Sequence, residues 1–331
     1  MVTDLKIQAP AGASLRALAK GFVLTKQTEG KSPRTVEYYQ DHLRRFIWYA
    51  TQQGWSDDIR TLDEWNIRQF LGYVGTETHR WGLRGNGSET SQPKASHSTV
   101  RHYFVVLSCF FNWLARDGFL KENPMARVKV AKPKPKVVDP YGAEEIKKML
   151  AVCEHDFCHN AKFLGSRNRA IVLVLLDTGL RLSEIEHIKL SDLNTDTGCL
   201  KVLGKGNKER VVRIGKATQK AIWRYLVYRG EGEKERLWLS EEKKPLAGSG
   251  IQSLIKRLKE RAGVDSTGSV HRFRHSFALS FLRLDGNVFN LQYLLGHSDL
   301  DMTRRYTLAL GMEDALKAHE KSSPVDRLGL N

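Results

Sequence analysis

Apolar residues recur at helical spacing along most of the chain. From Ser14 to about Gln27, Leu15, Leu18, Phe22 and Leu24 predict a first helix. Ser32-Pro33 supplies a cap and a first-turn proline for a second, whose stripe is Val36, Tyr39, Leu43, Phe46, Ile47 and Ala50, with Arg34, His42, Arg44 and Arg45 toward other faces. A third begins at a capping box, Thr61 to Glu64, and runs to about Val74; a fourth covers about Ser98 to Arg116. Between these last two, residues 76–97 are rich in Gly, Ser, Thr and Asn and predict a long loop. Residues 1–13 form a leader, and the four helices predict a small all-α domain over 14–126.

The second half keeps the helical period but interrupts it once. Helices are expected over about Gly142 to Val152 and from Asn168 into Leu176, followed by a break at Asp177-Thr178-Gly179. Ser183 and Glu186 make a capping box for the next helix, which leaves Arg181 between two helix ends. Cys199 to Leu203 and Val211 to Ile214 alternate as strands around Gly204-Lys205-Gly206, so a hairpin carries a lysine with a glycine on either side. Helices follow at about Ala217 to Arg229 and Gly250 to Ala262. After Ser269, Val270, Phe273, Phe277 and Phe281 share one helical face, and His271, Arg274 and His275 the other. A short helix from Asn287 to Leu295 stops at Gly296; His297 follows, then Ser298 and Asp301 cap a helix bearing Tyr306. An amphipathic pattern returns over 312–320. The fold class is mainly α with a small β-hairpin or sheet, in two domains.

Charge adds a partner to this outline. Lysine and arginine number 53 against 37 acidic residues, a net +16 with pI about 9.7. Such an excess suits a polyanion, most commonly a nucleic-acid backbone. Residues 127–139 join the two domains, with Arg127, Lys129, Lys132, Lys134 and Lys136 interleaved with Pro133 and Pro135. That composition favours an extended, semi-rigid strap of positive charge. Four scattered cysteines do not read as a disulfide framework, and Cys153, His155, Cys158 and His159 lack the paired spacings of a zinc site. The longest apolar run, Ala170 to Leu176, is too short to span a bilayer, and the protein is expected in the cytoplasm.

Suppose the anion is a DNA phosphodiester. Arg181 and Arg274 can hold its two non-bridging oxygens with guanidiniums that never deprotonate. His271 and His297 can donate to the same oxygens or help remove the nucleophile's proton, and Lys205 can protonate a leaving oxygen. Tyr306 becomes a nucleophile where cations stabilise its phenolate. Enough charge comes from side chains that no metal is required.

DTGLR at Asp177–Arg181, GKGNKER at Gly204–Arg210, HRFRH at His271–His275, LLGH at Leu294–His297 and Tyr306, in that order, together resemble the tyrosine recombinase or phage integrase family. The resemblance spans the second half almost end to end. It implies a SAM-like core-binding DNA-binding domain followed by a catalytic domain over 140–331. Its implied catalytic set is Arg181, Lys205, His271, Arg274, His297 and the nucleophile Tyr306, with Glu184 as an acidic support and His275 outside the set. Phe273 stands where leucine is commoner. Candidate DNA contacts are Thr99, Arg101, Lys132, Lys134, Lys136, Lys208 and Arg210. The family's action would follow: four protomers on two duplexes, a 3′-phosphotyrosyl link, strand exchange through a Holliday junction, and no cofactor. The tail from about residue 311 would pack on a neighbouring protomer. A mobile-element integrase is the leading expectation; a Xer-type dimer resolvase, a non-catalytic DNA-binding regulator and a type IB topoisomerase are the alternatives.

Overall fold

A computed structural model of the chain describes residues 14–78, 94–133, 139–204, 208–231, 235–265, 268, 270–284, 286–296, 303, 306 and 314. The chain divides into two compact units, Met1–Pro135 and Lys136–Asn331, a division that falls inside the Lys/Pro stretch.

In the first unit, helices α1 (Leu15–Thr28), α2 (Pro33–Gln52), α3 (Glu64–Thr76) and α4 (His97–Arg116) enclose an aromatic core. Ser14, Ser32 and Ser96 cap α1, α2 and α4 by accepting from the backbone N–H three residues on. Phe22, Phe46, Phe70, Phe110 and Phe111 have no exposed surface, and the Phe46 and Phe70 rings meet edge-on at 5.0 Å. Two expectations shift. The cap of α3 is Asp63, not Thr61: Asp63 accepts from the Trp65 and Asn66 N–H groups while Asn66 accepts from the Asp63 N–H. Thr61 instead closes a 3₁₀ turn, and Leu62 stays extended with its side chain in the core. Leu24, counted on the apolar face of α1, is 60% exposed.

After α4 the chain folds back on this unit. Met125 and Val128 enter its core, and the carbonyls of Arg127, Val130 and Ala131 accept from Arg68 (3.0 Å), Arg101 (2.6 Å) and His97 (2.8 Å). The expected strap is therefore fastened down as far as Ala131. Lys132 is exposed, whereas Lys134 and Lys136 lie outside the described residues.

The second unit contains α5 (Ala143–Cys158), α6 (Lys162–Thr178), α7 (Leu182–Glu186), strands β1 (Leu193–Asn194), β2 (Cys199–Leu203) and β3 (Glu209–Arg213), then α8 (Lys216–Arg229), α9 (Gly248–Arg261), α10 (Val270–Arg283) and α11 (Val288–Leu295). Its centre is α6, which packs on α5, α8 and α10 and buries Ala170, Ile171, Val172, Val174 and Leu175 completely. The sheet is antiparallel in the order β1-β2-β3, with Leu200 opposite Val212. At two residues, β1 is too short to display an alternation in sequence.

α5 runs on through Cys153 to Cys158 because Cys153 continues its buried face, and that burial pushes the thiol up to about 12. Cys158 is exposed, the His155 and His159 rings stack at 4.0 Å, and among the described residues no three His, Cys, Asp or Glu side chains gather as a metal set. None of the described helices is long and apolar enough to cross a membrane.

Candidate active site

Arg181 occupies the break between α6 and α7. Gly179 makes the turn at φ 61°, a left-handed conformation, and a Cβ there would lie 2.7 Å from Phe277 and 2.9 Å from Leu295. Glycine thus lets α10 and α11 close on the break. The capping box expected at Ser183 and Glu186 is displaced: α7 starts at Leu182, Arg181 is its N-cap, and the Arg181 N–H donates to Glu184 Oε2 at 2.8 Å.

Three guanidiniums gather around Glu184 and the end of α11. Arg181 donates through Nη1 to Glu184 Oε1 (2.9 Å) and to the Leu295 carbonyl (3.3 Å), and through Nη2 to the Gly296 carbonyl (3.5 Å). Arg274, from α10, is 1% exposed and donates to the carbonyls of Gly179 (2.8 Å) and Leu295 (2.7 Å). Arg210, from β3, donates both terminal nitrogens to Glu184 at 2.9 Å and its Nε to the Leu294 carbonyl at 2.8 Å. The last carbonyls of a helix carry partial negative charge, so the C-terminus of α11 holds these cations without neutralising them. Among these four side chains two positive charges are in excess, in place for an anion.

The titration behaviour follows from that crowding. Burial raises the Glu184 carboxyl, but its bonds to Arg210, that residue's charge and Arg181 outweigh it, and the pKa ends below the usual value. Burial, then the neighbouring Arg181, lower Arg274 to about 10, so it remains a cation at neutral pH. His271 has an exposed surface, yet desolvation of its ring and then the charges of Arg274 and Arg181 lower its pKa. His275 is lowered further, to about 4, by burial, His271 and Arg274.

Tyr306 is 6% exposed and packs with Ala278, Leu279, Leu291 and Leu295. Its ring lies 5.3 Å from His275, which lies 5.4 Å from His271. Its phenolate would favour the charged form of Arg274. Of the six expected catalytic residues, the structure brings together Arg181, His271, Arg274 and Tyr306 beside Glu184; Lys205 and His297 lie outside the described residues.

The expected DNA contacts fare differently. Arg210 is corrected: it is 7% exposed, and all its nitrogens have partners inside the protein. The signal was available, because Arg210 shares the inward side of β3 with Val212. Arg101 donates to Val130 and lies 4.8 Å over the Phe104 ring, half-buried. The Thr99 hydroxyl meets Ser96 at 3.0 Å in the α4 cap, and Lys208 is exposed beside the hairpin loop. In the tail, Asp314 lies 3.6 Å from Arg283 of α10 in the same chain.

Paired guanidiniums, a histidine and a tyrosine held in one helical unit can grip a phosphodiester and offer it a phenol oxygen, the equipment of a tyrosine-type strand-transferring enzyme. The model of the phage integrase family matches residues 142–310, and the chain belongs to that family, the tyrosine recombinases. It is 28% identical over 329 residues to tyrosine recombinase XerC of Leptospira interrogans, covering 98% of this chain and 99% of that one. It is also 28% identical over 287 residues to tyrosine recombinase XerD of Listeria monocytogenes, covering 84% and 89%. Among solved structures, the Tn1549 transposon integrase in complex with transposon right end DNA is similar with a TM-score of 0.73 at 16% identity, covering 94% of this chain and 99% of that one. The XerH recombinase bound to a palindromic difH substrate gives 0.67 at 20% identity, covering 95% and 85%. At these identities the solved structures establish the fold.

Proposed function

We propose that this chain is a site-specific DNA recombinase that cuts and rejoins duplex DNA through a 3′-phosphotyrosyl link at Tyr306, as the integrase of a mobile element. The observation that carries the reading is the convergence of Arg181 and Arg274 on the Leu295 carbonyl, on whose side chain Tyr306 packs. Arg181 and Arg274 hold the non-bridging oxygens, and His271 donates to them or takes the phenol proton. The phenol oxygen bonds to phosphorus, the bond to the 5′ oxygen breaks, and Lys205 supplies that oxygen's proton; His297 completes the set. The freed 5′-hydroxyl of a partner strand then reverses the step, conserving bond energy, so the cycle needs no ATP.

Duplex DNA is the partner, met in the cytoplasm. Lys132, Lys134 and Lys136 neutralise its backbone, with Lys208 and Thr99 as further contacts. The core-binding domain begins at residue 14 and takes in the start of the strap as far as Ala131; residues 132–139 lead on to a catalytic domain over 140–331. Four protomers assemble on two sites, and the tail exchanges its Asp314–Arg283 contact for an equivalent one on a neighbour.

A Xer-type resolvase of chromosome dimers is the second reading, favoured by the match to XerC across nearly the whole length of both chains. The genomic neighbourhood of the coding region separates the two: phage or transposon genes flanking it support the integrase, a housekeeping context the resolvase. Catalysis itself is tested with duplex DNA nicked near the candidate cleavage point, in the presence of EDTA. A protein–DNA adduct lost in Tyr306→Phe supports the reading, and no adduct on any cognate site would sink it.

A further inference from the structure

Arg210 belongs to neither the catalytic set nor the DNA surface, yet it shares the Glu184 carboxylate with Arg181 and bonds the carbonyl just before the two that Arg181 meets. It is the inward residue of β3 nearest the hairpin loop and lies opposite Val202. From there its guanidinium is wedged between two motif glycines: a Cβ on Gly296 would be 3.0 Å from Nη1, and one on Gly204 3.4 Å. A side chain at Gly296 would crowd the guanidinium, and one at Gly204 would rest against it.

The carboxylate it grips is shared. Glu184 Oε1 accepts from both Arg210 Nη1 and Arg181 Nη1, each at 2.9 Å. Oε2 accepts from Arg210 Nη2 at 2.9 Å and from the Arg181 backbone N–H at 2.8 Å. Arg210 Nε meanwhile fixes the Leu294 carbonyl, one residue before the Leu295 carbonyl on which Arg181 and Arg274 converge. A planar fork with three filled directions determines orientation as well as charge, which a lysine in its place would not.

We infer that Arg210 is a positioning residue: by fixing both oxygens of Glu184 and the last turn of α11, it holds Arg181 in register with Arg274 on one phosphate. The inference rests on the recombinase reading proposed above. It also separates two roles that an ion pair can have. A merely structural pair would affect every substrate alike, whereas a residue aligning Arg181 matters only as much as the phosphate's negative charge does.

The test uses the full chain with Arg210→Lys on nicked suicide DNA, with either an ordinary scissile phosphate or a methylphosphonate that lacks one charged non-bridging oxygen. On the phosphodiester the adduct should form roughly 100-fold more slowly than with the wild type, in the range for losing one preorganised donor. On the methylphosphonate the defect should shrink at least ~10-fold, since less charge awaits the arginines. Equal defects on both substrates, or none on either, would overturn the inference. Should Arg210→Lys fail to fold, Arg210→Gln, whose amide can still donate to Glu184, carries the same comparison. A second readout is independent of chemistry: amide exchange of Arg181 in the DNA-free protein, whose N–H is bonded to Glu184, should speed up in Arg210→Lys. Unchanged exchange there contradicts the coupling, while faster exchange in Arg210→Lys together with a wild type that forms no adduct would count against the recombinase reading alone.

Discussion

The two units of this chain are stabilised by different physics. In the first, Phe22, Phe46, Tyr103, Phe110 and Phe111 fill the interior, and no charged side chain among its described residues is buried. In the second, the buried set includes Arg167, Glu184, Arg210, Arg229, Arg272 and Arg274. Removing a charge from water is unfavourable unless bonds replace its hydration: the five arginines donate to carbonyls or carboxylates at hydrogen-bond distance, and Glu184 accepts from Arg181 and Arg210. An aromatic core needs only shape and apolar area. The charged interior of the second unit instead depends on the direction of each hydrogen bond, and at Arg274 it keeps a cation buried against two carbonyls.

The two units should therefore fail differently. Phe46→Ala should destabilise the first unit by about 3–5 kcal/mol through an unfilled cavity, and by the same amount at every pH. Arg210→Met should destabilise the second unit by about 3–5 kcal/mol near neutral pH because the buried Glu184 carboxylate keeps only its Arg181 partners. That penalty should shrink as acid protonates Glu184, and Arg210→Met/Glu184→Leu should recover most of it in urea unfolding. A pH-independent Arg210→Met penalty would mean that lost packing, and not the stranded charge, is responsible.

A smaller effect comes from His275. Its folded pKa of about 4 lies below the ordinary 6.5, so the unfolded chain binds the proton more readily. The stabilisation is complete above about pH 6.5 and is lost as pH falls toward 4. With a discount for partial solvation, His275→Phe should spare the protein on the order of 1 kcal/mol of acid destabilisation near pH 5. Parallel stability curves for the two proteins would contradict this. The smallest effect belongs to the strap. Neutralising Lys132, Lys134 and Lys136 should flatten the dependence of log affinity on log salt by up to about 3. An unchanged slope would make the stretch a linker only.

Sequence reading found what depends on local periodicity. The stripes of α2 and α4, the Ser32-Pro33 start and the stop at Gly296 all follow from side-chain pattern and cap chemistry within a few residues. It placed Arg181 in a break and Arg274 on a helix, because DTGLR and HRFRH carry their own punctuation. What it missed is set by distant partners. Arg210 read as a surface cation because Glu184 and Leu294, which bury it, are 26 and 84 residues away. Leu24 read as core because periodicity shows that a face is apolar, not what covers it. His275 fell outside the implied catalytic set, and only the folded positions of His271 and Tyr306 reveal it as the ring between them.

The most direct measurement is to digest the protein trapped on suicide DNA and locate the DNA-bearing peptide by mass spectrometry. A single modified residue is expected, Tyr306, bonded through phosphate to a 3′ end, with yield unaffected by EDTA. An adduct on another residue, or a 5′ linkage, would contradict it.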